Sequence, residues 1–432
     1  MLRDASQRHG RYCSIFVLDP QAAARHKLHM GCGAPPDKRP CAATVDRHGA
    51  DMSETFGFYE FFAGGGMARA GLGDGWTCLF ANDFDPKKGA AYTDNWGKAA
   101  LHVGDVSKVT VEQLPGTADL VWASFPCQDL SLAGAGAGLK GGRSGAFWPF
   151  WDLMKGLAVA KRKPRAIVLE NVCGLLTSHG GADFAALCEA VGSAGYWLGA
   201  LVMDAQLFLP QSRPRLFVVA IDMDHPIPGH VHSAYAMDIW HPERLRQAQA
   251  ALPEPLRRKW LWFAPPAPAK RNDRLIDLIE DNPKDVPWHS PAETARLLAM
   301  MSAGNRLKVD TMAASATRAV GAVYKRTRIE QGRKVQRAEV RFDLAGCLRT
   351  PAGGSSRQTI LLIEDRIIRS RLISARETAR LMGLSEDYRL PDRYTEAYHL
   401  TGDGVAVPVV RHVAEWLVEP ALRQLEKQFA RA

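Results

Sequence analysis

From Gly57 the chain runs Phe58-Tyr59-Glu60-Phe61-Phe62-Ala63-Gly64-Gly65-Gly66-Met67-Ala68-Arg69-Ala70-Gly71-Leu72, an aromatic strand, a glycine turn and the start of a helix. Such a turn lets the backbone pass close to a ligand at the carboxyl end of a first strand, which points to an α/β fold of Rossmann type. Glycine turns of this sort serve nucleotides of many kinds, and a simple tight turn reads the same way. The second strand narrows the choice. It runs Thr77-Cys78-Leu79-Phe80-Ala81-Asn82 and ends in Asp83-Phe84-Asp85, about twenty residues after the glycines, where a Rossmann-like fold holds a ribose by its hydroxyls. Asp83 is thus placed for a ribose and Phe84 for stacking on a purine. Asp105, after Leu101-His102-Val103-Gly104 and before Val106, is placed to accept from an adenine amino group. Singly, each acid reads as a cap or a surface charge; their order after successive strands points to a nucleoside. The turn has no P-loop lysine, which favours a ligand without a pyrophosphate.

Three further strand ends carry reactive side chains. Asp119-Leu120-Val121-Trp122-Ala123-Ser124-Phe125 reads as a buried strand that delivers Pro126-Cys127-Gln128. Ala166-Ile167-Val168-Leu169 delivers Glu170-Asn171-Val172, and Gln211-Ser212-Arg213-Pro214-Arg215 precedes a strand over 216–221. A cysteine, a glutamate and two arginines therefore meet at the sheet edge where open α/β folds bind ligands. Each has a plainer reading: free cysteine is among the most buried residue types, and Glu170 suits an ion pair with Arg213 or Arg215. The glycine-rich stretch 132–147 reads as a loop able to move, or as ordinary surface.

With 432 residues the chain is long enough for two domains and a large core. Its apolar runs fall well short of the roughly 18 residues of a membrane span. The eight cysteines include no CxxC pair and no His/Cys cluster with zinc spacing, so no metal is expected, and reduced thiols in a cytoplasm fit best. Residues 1–53 have neither a secretory apolar segment nor hydrophobic periodicity and read as a disordered extension, with Met52 as a possible alternative start. Between 223 and 345 the composition changes, with prolines through 253–291 and tryptophans at 240, 260, 262 and 288. From 306 to 341 there are ten Lys or Arg against three acids, within a net charge of +9. That excess suits phosphates, although a charge run is also what a solvated face looks like.

Taken in order, Phe62-Ala63-Gly64-Gly65-Gly66, Asp83-Phe84, Asp105, Pro126-Cys127-Gln128, Glu170-Asn171-Val172 and Gln211-Ser212-Arg213-Pro214-Arg215 resemble the motif series of the DNA cytosine-5 methyltransferases. The resemblance resumes at Arg376-Glu377-Thr378-Ala379-Arg380-Leu381-Met382-Gly383 and Gly402-Asp403-Gly404-Val405-Ala406-Val407-Pro408. It implies a Rossmann-like methyltransferase sheet with helices on both faces plus a smaller target-recognition domain. The implied layout is 54–222 catalytic and cofactor-binding, 223–398 target recognition, and 399–432 returning to the first domain. It implies S-adenosylmethionine as cofactor, near Phe62, Gly64, Gly66, Asp83, Phe84, Asp105, Val106, Pro126, Asp403 and Val405. Cys127 is the implied nucleophile at carbon 6 of a flipped-out cytosine, Glu170 the partner of ring nitrogen 3 and Arg215 that of the carbonyl oxygen. Arg213 and Asn171 would orient the site, and Gln128, Ser131 and Arg143 on the 132–147 side would support the displaced base or its phosphates. Two positions depart from the family pattern: Met67 stands where glycine is usual and Asp403 where asparagine is usual. The implied partners are double-stranded DNA and a companion restriction endonuclease, with a monomer acting at the nucleoid in the cytoplasm. The same catalysis on transfer RNA is disfavoured by the long 223–345 segment. A non-catalytic DNA-binding descendant is disfavoured because Cys127 and Glu170 are both present.

Overall fold

The computed structural model describes residues 55–126, 144–315, 317–349 and 356–423. Short apolar segments buried on both faces form its centre, as expected of strands flanked by helices on either side. They are β1 (Phe56–Phe61), β2 (Trp76–Asp83), β3 (Leu101–Val103), β4 (Leu120–Ala123), β5 (Ala166–Asn171), β6 (Tyr196–Asp204) and β7 (Pro214–Asp222). Their order across the sheet is β3-β2-β1-β4-β5-β7-β6, parallel except for β7, which runs opposite to both neighbours. This is the α/β sheet expected from the sequence.

Two consequences of this order position the site. The chain moves outward in opposite directions from β1, through β2 on one side and β4 on the other, so the crevice at their carboxyl ends is a topological switch point. Because β7 is reversed, its first residues share an edge with the last residues of β5: Asn171 pairs with Leu216 and Glu170 with Phe217. That reversal carries Arg213 and Arg215 to the edge already holding Glu170.

Alternation along each strand divides the core. Phe56 and Phe58 of β1 pack on one face with Leu72, Val410 and Leu417. Tyr59 and Phe61 pack on the other with Phe147, Phe150 and Leu157. The first face is covered by α1 (Met67–Leu72) and by the late helix Val407–Val413, the second by α3 (Phe147–Val159); α2 (Pro86–Trp96) and α4 (Ala182–Ser193) complete the layers. The late helix lies so close to α1 that a Cβ on Gly71 would come within 2.4 Å of Val410.

After β7 come a short pair, β8 (His232–Ser233) and β9 (Trp262–Phe263), and then an antiparallel sheet that the sequence did not lead us to expect. Its strands are β10 (Ala319–Glu330), β11 (Arg333–Phe342), β12 (Thr359–Glu364) and β13 (Ile367–Leu372), in the order β11-β10-β12-β13. On one side Val323 and Val340 pack with Leu297, Met301 and Val309 of the preceding helical segment. On the other, Val320, Ala322, Ile360 and Leu362 join the large core. A fully buried bidentate pair, Arg371 with Glu377, ties β13 to the helix Ala375–Leu381. Among the described residues no helix is long and apolar enough to cross a membrane, and no cluster is placed to hold a metal ion.

Candidate active site

The turn after β1 is drawn tight by its own backbone. Phe62, Gly64 and Gly66 all have positive φ, a conformation that costs a glycine little and leaves Phe62 as an exception worth a functional reading. The Gly64 N–H donates to Asp83 Oδ2 at 2.7 Å, while Asp85 N–H donates to Asp83 Oδ1 at 2.8 Å. Asp83 therefore braces the turn, and burial raises its carboxyl above the usual range despite Lys88 and those two amides. Above Gly64 the space is open, since an added Cβ would meet nothing within 4 Å. Gly65 and Gly66 are the opposite case. A Cβ there would sit 2.2 Å from the Tyr388 hydroxyl or 2.4 Å from the Trp96 ring. Tyr388 and Trp96 both donate to the Gly65 carbonyl, so a residue 323 positions further along the chain and one only 31 away meet behind the turn and clamp it.

Phe84 is 73% exposed beside this turn, a large apolar ring left in water. Asp105 caps the one-turn helix Val106–Lys108 through Ser107 N–H, a bond that lowers its carboxyl below the usual range. Asn82 holds the end of β3 in place by donating to the carbonyls of His102 and Gly104. Asp403 lies across the crevice as an ion-pair partner of Lys88 at 2.8 Å. Burial alone would lower the Lys88 ammonium, but Asp403, with Asp83 and Asp85, raises it. Met67 fills the space against Gly404, the residue that follows Asp403.

On the β4–β5–β7 side Glu170 is 6% exposed and lies with Oε1 3.2 Å from Arg215 Nε. Asn171 donates to the carbonyl of Phe125 and accepts from Val172 N–H, which fixes the backbone just before Pro126. Arg213 does not enter this cluster directly. It is 2% exposed and donates to the carbonyls of Leu348, Gly402 and Gly404, clasping two returning segments to the sheet. Cys347 lies within 3.4 Å of Arg213 Nη1 and 3.8 Å of Arg215 Nη2. Burial would raise its thiol, and the two guanidiniums outweigh that and lower it. Cys127, Gln128, Ser131 and Arg143 lie outside the described residues, as does the 1–53 extension; Pro126, described, stands at the mouth of β4.

Residues 56–419 match the family described as C-5 cytosine-specific DNA methylase. The chain belongs to that family. It is 26% identical over 367 residues to the type II methyltransferase M.BsuFI of Bacillus subtilis, covering 84% of this chain and 73% of that one. It is 24% identical over 383 residues to the type II methyltransferase M.MspI of Moraxella sp, covering 87% and 73%. Among solved structures, the Entamoeba histolytica methyltransferase EhMeth overlays with a TM-score of 0.56 at 14% identity, covering 84% of this chain and 98% of that one. The Dnmt2 methyltransferase of S. pombe overlays at 0.50 and 17% identity, with the same coverage. This DNA cytosine methylase therefore carries its family's fold as well as its motifs.

Three residues near the site escaped the reading of the sequence. Glu60, 1% exposed in the middle of an apolar strand, lies beneath the glycine turn with Oε2 unpartnered, and burial raises its carboxyl to about 8. A charge at an otherwise apolar strand position was the available signal. Lys88 and Cys347 offered none, because their partners are distant in sequence. The basic run of the methylase is also less uniform than its composition. Arg306 pairs with Asp310, Arg318 with Asp281, Arg326 and Arg328 with Glu339, and Arg337 with Glu330. Lys308, Lys325, Arg333, Lys334 and Arg341 make no ion pair among the described residues.

Proposed function

We propose that this methylase transfers a methyl group from S-adenosylmethionine to carbon 5 of cytosine within a specific double-stranded DNA sequence, through a transient bond to Cys127. The observation that carries the reading is the convergence of Glu170, Arg215 and Pro126 at one sheet edge, next to a nucleoside-type crevice. Carbon 5 of cytosine is a poor nucleophile until something adds to carbon 6. A thiol does this well, because a free cysteine is a few per cent thiolate at neutral pH and intrinsically nucleophilic. As Cys127 adds, negative charge builds on ring nitrogen 3 and the carbonyl oxygen. Glu170 meets the first by donating or sharing a proton, and Arg215 meets the second. Arg213 and Asn171 hold the surrounding backbone in position. Loss of the carbon 5 proton then expels the Cys127 sulfur and restores the ring.

The crevice suits an adenosyl amino acid on its own chemistry: an exposed aromatic ring, an acid beside it, open space over Gly64 and an orphaned carboxyl oxygen of Glu60. Phe62, Gly64, Gly66, Asp83, Phe84, Asp105, Val106, Pro126, Asp403 and Val405 would hold the cofactor. When bound, it supplies an electrophilic methyl group to carbon 5. We assign 54–222 to catalysis, 223–398 to target recognition and 399–432 to the return, with a monomer acting on DNA. A companion restriction endonuclease is supported by the type II relatives.

Incubation of the full chain and the methyl donor with duplexes bearing 5-fluorocytosine at the target site tests the mechanism. Fluorine cannot leave as a cation, so the adduct is expected to persist as a covalent protein–DNA band, and Cys127→Ala is expected to abolish it. Turnover by the alanine variant, or no band with the native chain, removes the covalent step.

A further inference from the structure

The hairpin β10–β11 extends beyond the sheet that supports it. β12 pairs with β10 only from Ala319 to Val323, so from Arg326 outward β10 has, among the described residues, β11 as its sole strand partner. The tip turns through Gln331 and Gly332, both at positive φ, in the manner of a two-residue hairpin loop. The outcome is a projecting two-stranded ribbon, a shape that the major groove of B-form DNA admits.

Alternation gives the ribbon two unlike faces. Cross-strand pairing places Arg326 opposite Arg337, Arg328 opposite Val335, and Tyr324 opposite Glu339 on one face. That face also carries Glu330, Arg333 and Arg341, giving five arginines against two glutamates. The other face carries Lys325, Thr327, Ile329, Lys334 and Gln336. The roots of the strands show where each face points. Val320 and Ala322, in phase with the arginines, are buried in the core shared with the large sheet, whereas Val323 and Val340, in phase with Thr327 and Gln336, are buried under the helices. The arginine face is thus on the same side as the body that holds Glu170 and Arg215.

Its two glutamates do not cancel it; they orient it. Glu339 accepts from the Tyr324 hydroxyl at 2.5 Å and pairs with Arg328 and, at 4.0 Å, with Arg326. Arg326 also lies 4.8 Å over the Tyr324 ring. Ion pairs this exposed contribute little to stability, so exchanging one for a base contact costs little while the guanidinium is already aimed.

We propose that the arginine face of this ribbon reads the target sequence, with Arg326 and Arg328 each presenting a guanidinium to the major-groove edge of a guanine, and that the opposite face reads nothing. The proposal rests on the DNA-methylating function above but is tested without catalysis. Full-length protein is used to select bound duplexes from a random-sequence pool, and the selected pools are sequenced. Wild type is expected to enrich guanine at defined positions. Arg326→Ala or Arg328→Ala is expected to lose the preference at one of them, discrimination there falling roughly ten- to a hundredfold. Thr327→Ala, Lys334→Ala and Gln336→Ala are expected to select the wild-type sequence. Retention of the full wild-type preference by both arginine variants, relaxation by the opposite-face variants, or a wild-type pool without an enriched guanine overturns the proposal. Methylation by wild type, mapped base by base as 5-methylcytosine, is scored separately: its absence sinks the catalytic reading and leaves the ribbon to be judged on its pools.

Discussion

At the scale of single residues, Glu60 shows how burial governs chemistry beside the cofactor crevice. Its carboxyl is fully enclosed, receives a long bond from Arg69 N–H at 3.4 Å, and is raised from 4.5 to about 8 chiefly by burial, which outweighs the Arg69 and Ala68 amides. A group whose folded value lies above its unfolded one favours the fold most when both states are protonated. That contribution is complete below the unfolded value and is lost as pH rises toward 8, because the unfolded chain ionises first. Glu60→Gln keeps the side chain neutral throughout. The variant is therefore expected to match wild type near about pH 5 and to exceed it near about pH 8 by an amount on the order of a few kcal/mol. Urea midpoints of the cofactor-free protein at those two pH values check this. Equal pH dependence in both proteins would mean that Glu60 is ionised in the fold.

At the scale of elements, the start of α1 and the turn before Val407–Val413 act as one unit. Met67 is 2% exposed, and a Cβ added at Gly404 would lie 2.2 Å from its sulfur and 2.9 Å from its methyl carbon. Gly404→Ala is expected to cost about 1–3 kcal/mol through overpacking, and Met67→Ala about 2–5 kcal/mol through an unfilled space. Made together they should cost less than the sum, by at least about 1 kcal/mol, since each relieves the other. A double-mutant cycle in denaturant measures the coupling, and simple additivity would separate the two sites. The sequence displayed the elements far better than such couplings. β2, β4 and β5 were legible because each is a short apolar run ending in a polar cluster, and β7 because such a run follows one; the approach of Glu170 to Arg215 also needs the reversal of β7, which no local pattern marks. The small sheet was not legible: the apolar start of β10 gives way to arginines and glutamates that continue through β11, as a half-exposed ribbon allows, so the hairpin reads as a charge run. Arg213 was legible as a site residue, but its clasp on Leu348, Gly402 and Gly404 was not, because those acceptors are backbone atoms more than a hundred positions away.

At the scale of the whole molecule, charge decides how the methylase meets a polyanion, and the fold sorts that charge in a way composition cannot. Ten cations between 306 and 341 suggest ten phosphate contacts, yet five of them are held by Asp281, Asp310, Glu330 or Glu339. Each cation that displaces a counterion from duplex DNA steepens the plot of log affinity against log salt by about 0.9. Arg333 and Arg341, on the arginine face and outside any ion pair among the described residues, are candidates for such contacts. Arg306, held by Asp310 on its own helix, is not. Arg333→Ala and Arg341→Ala are each expected to flatten the salt dependence by about 0.9 and to weaken binding to target and non-target duplexes alike, whereas Arg306→Ala leaves the slope near wild type. Fluorescence anisotropy across a salt series measures all three. If Arg306→Ala flattens the slope as much as the other two, the ion pairs seen in the fold are no guide to which cations meet phosphate, and the ten-residue count was the better description.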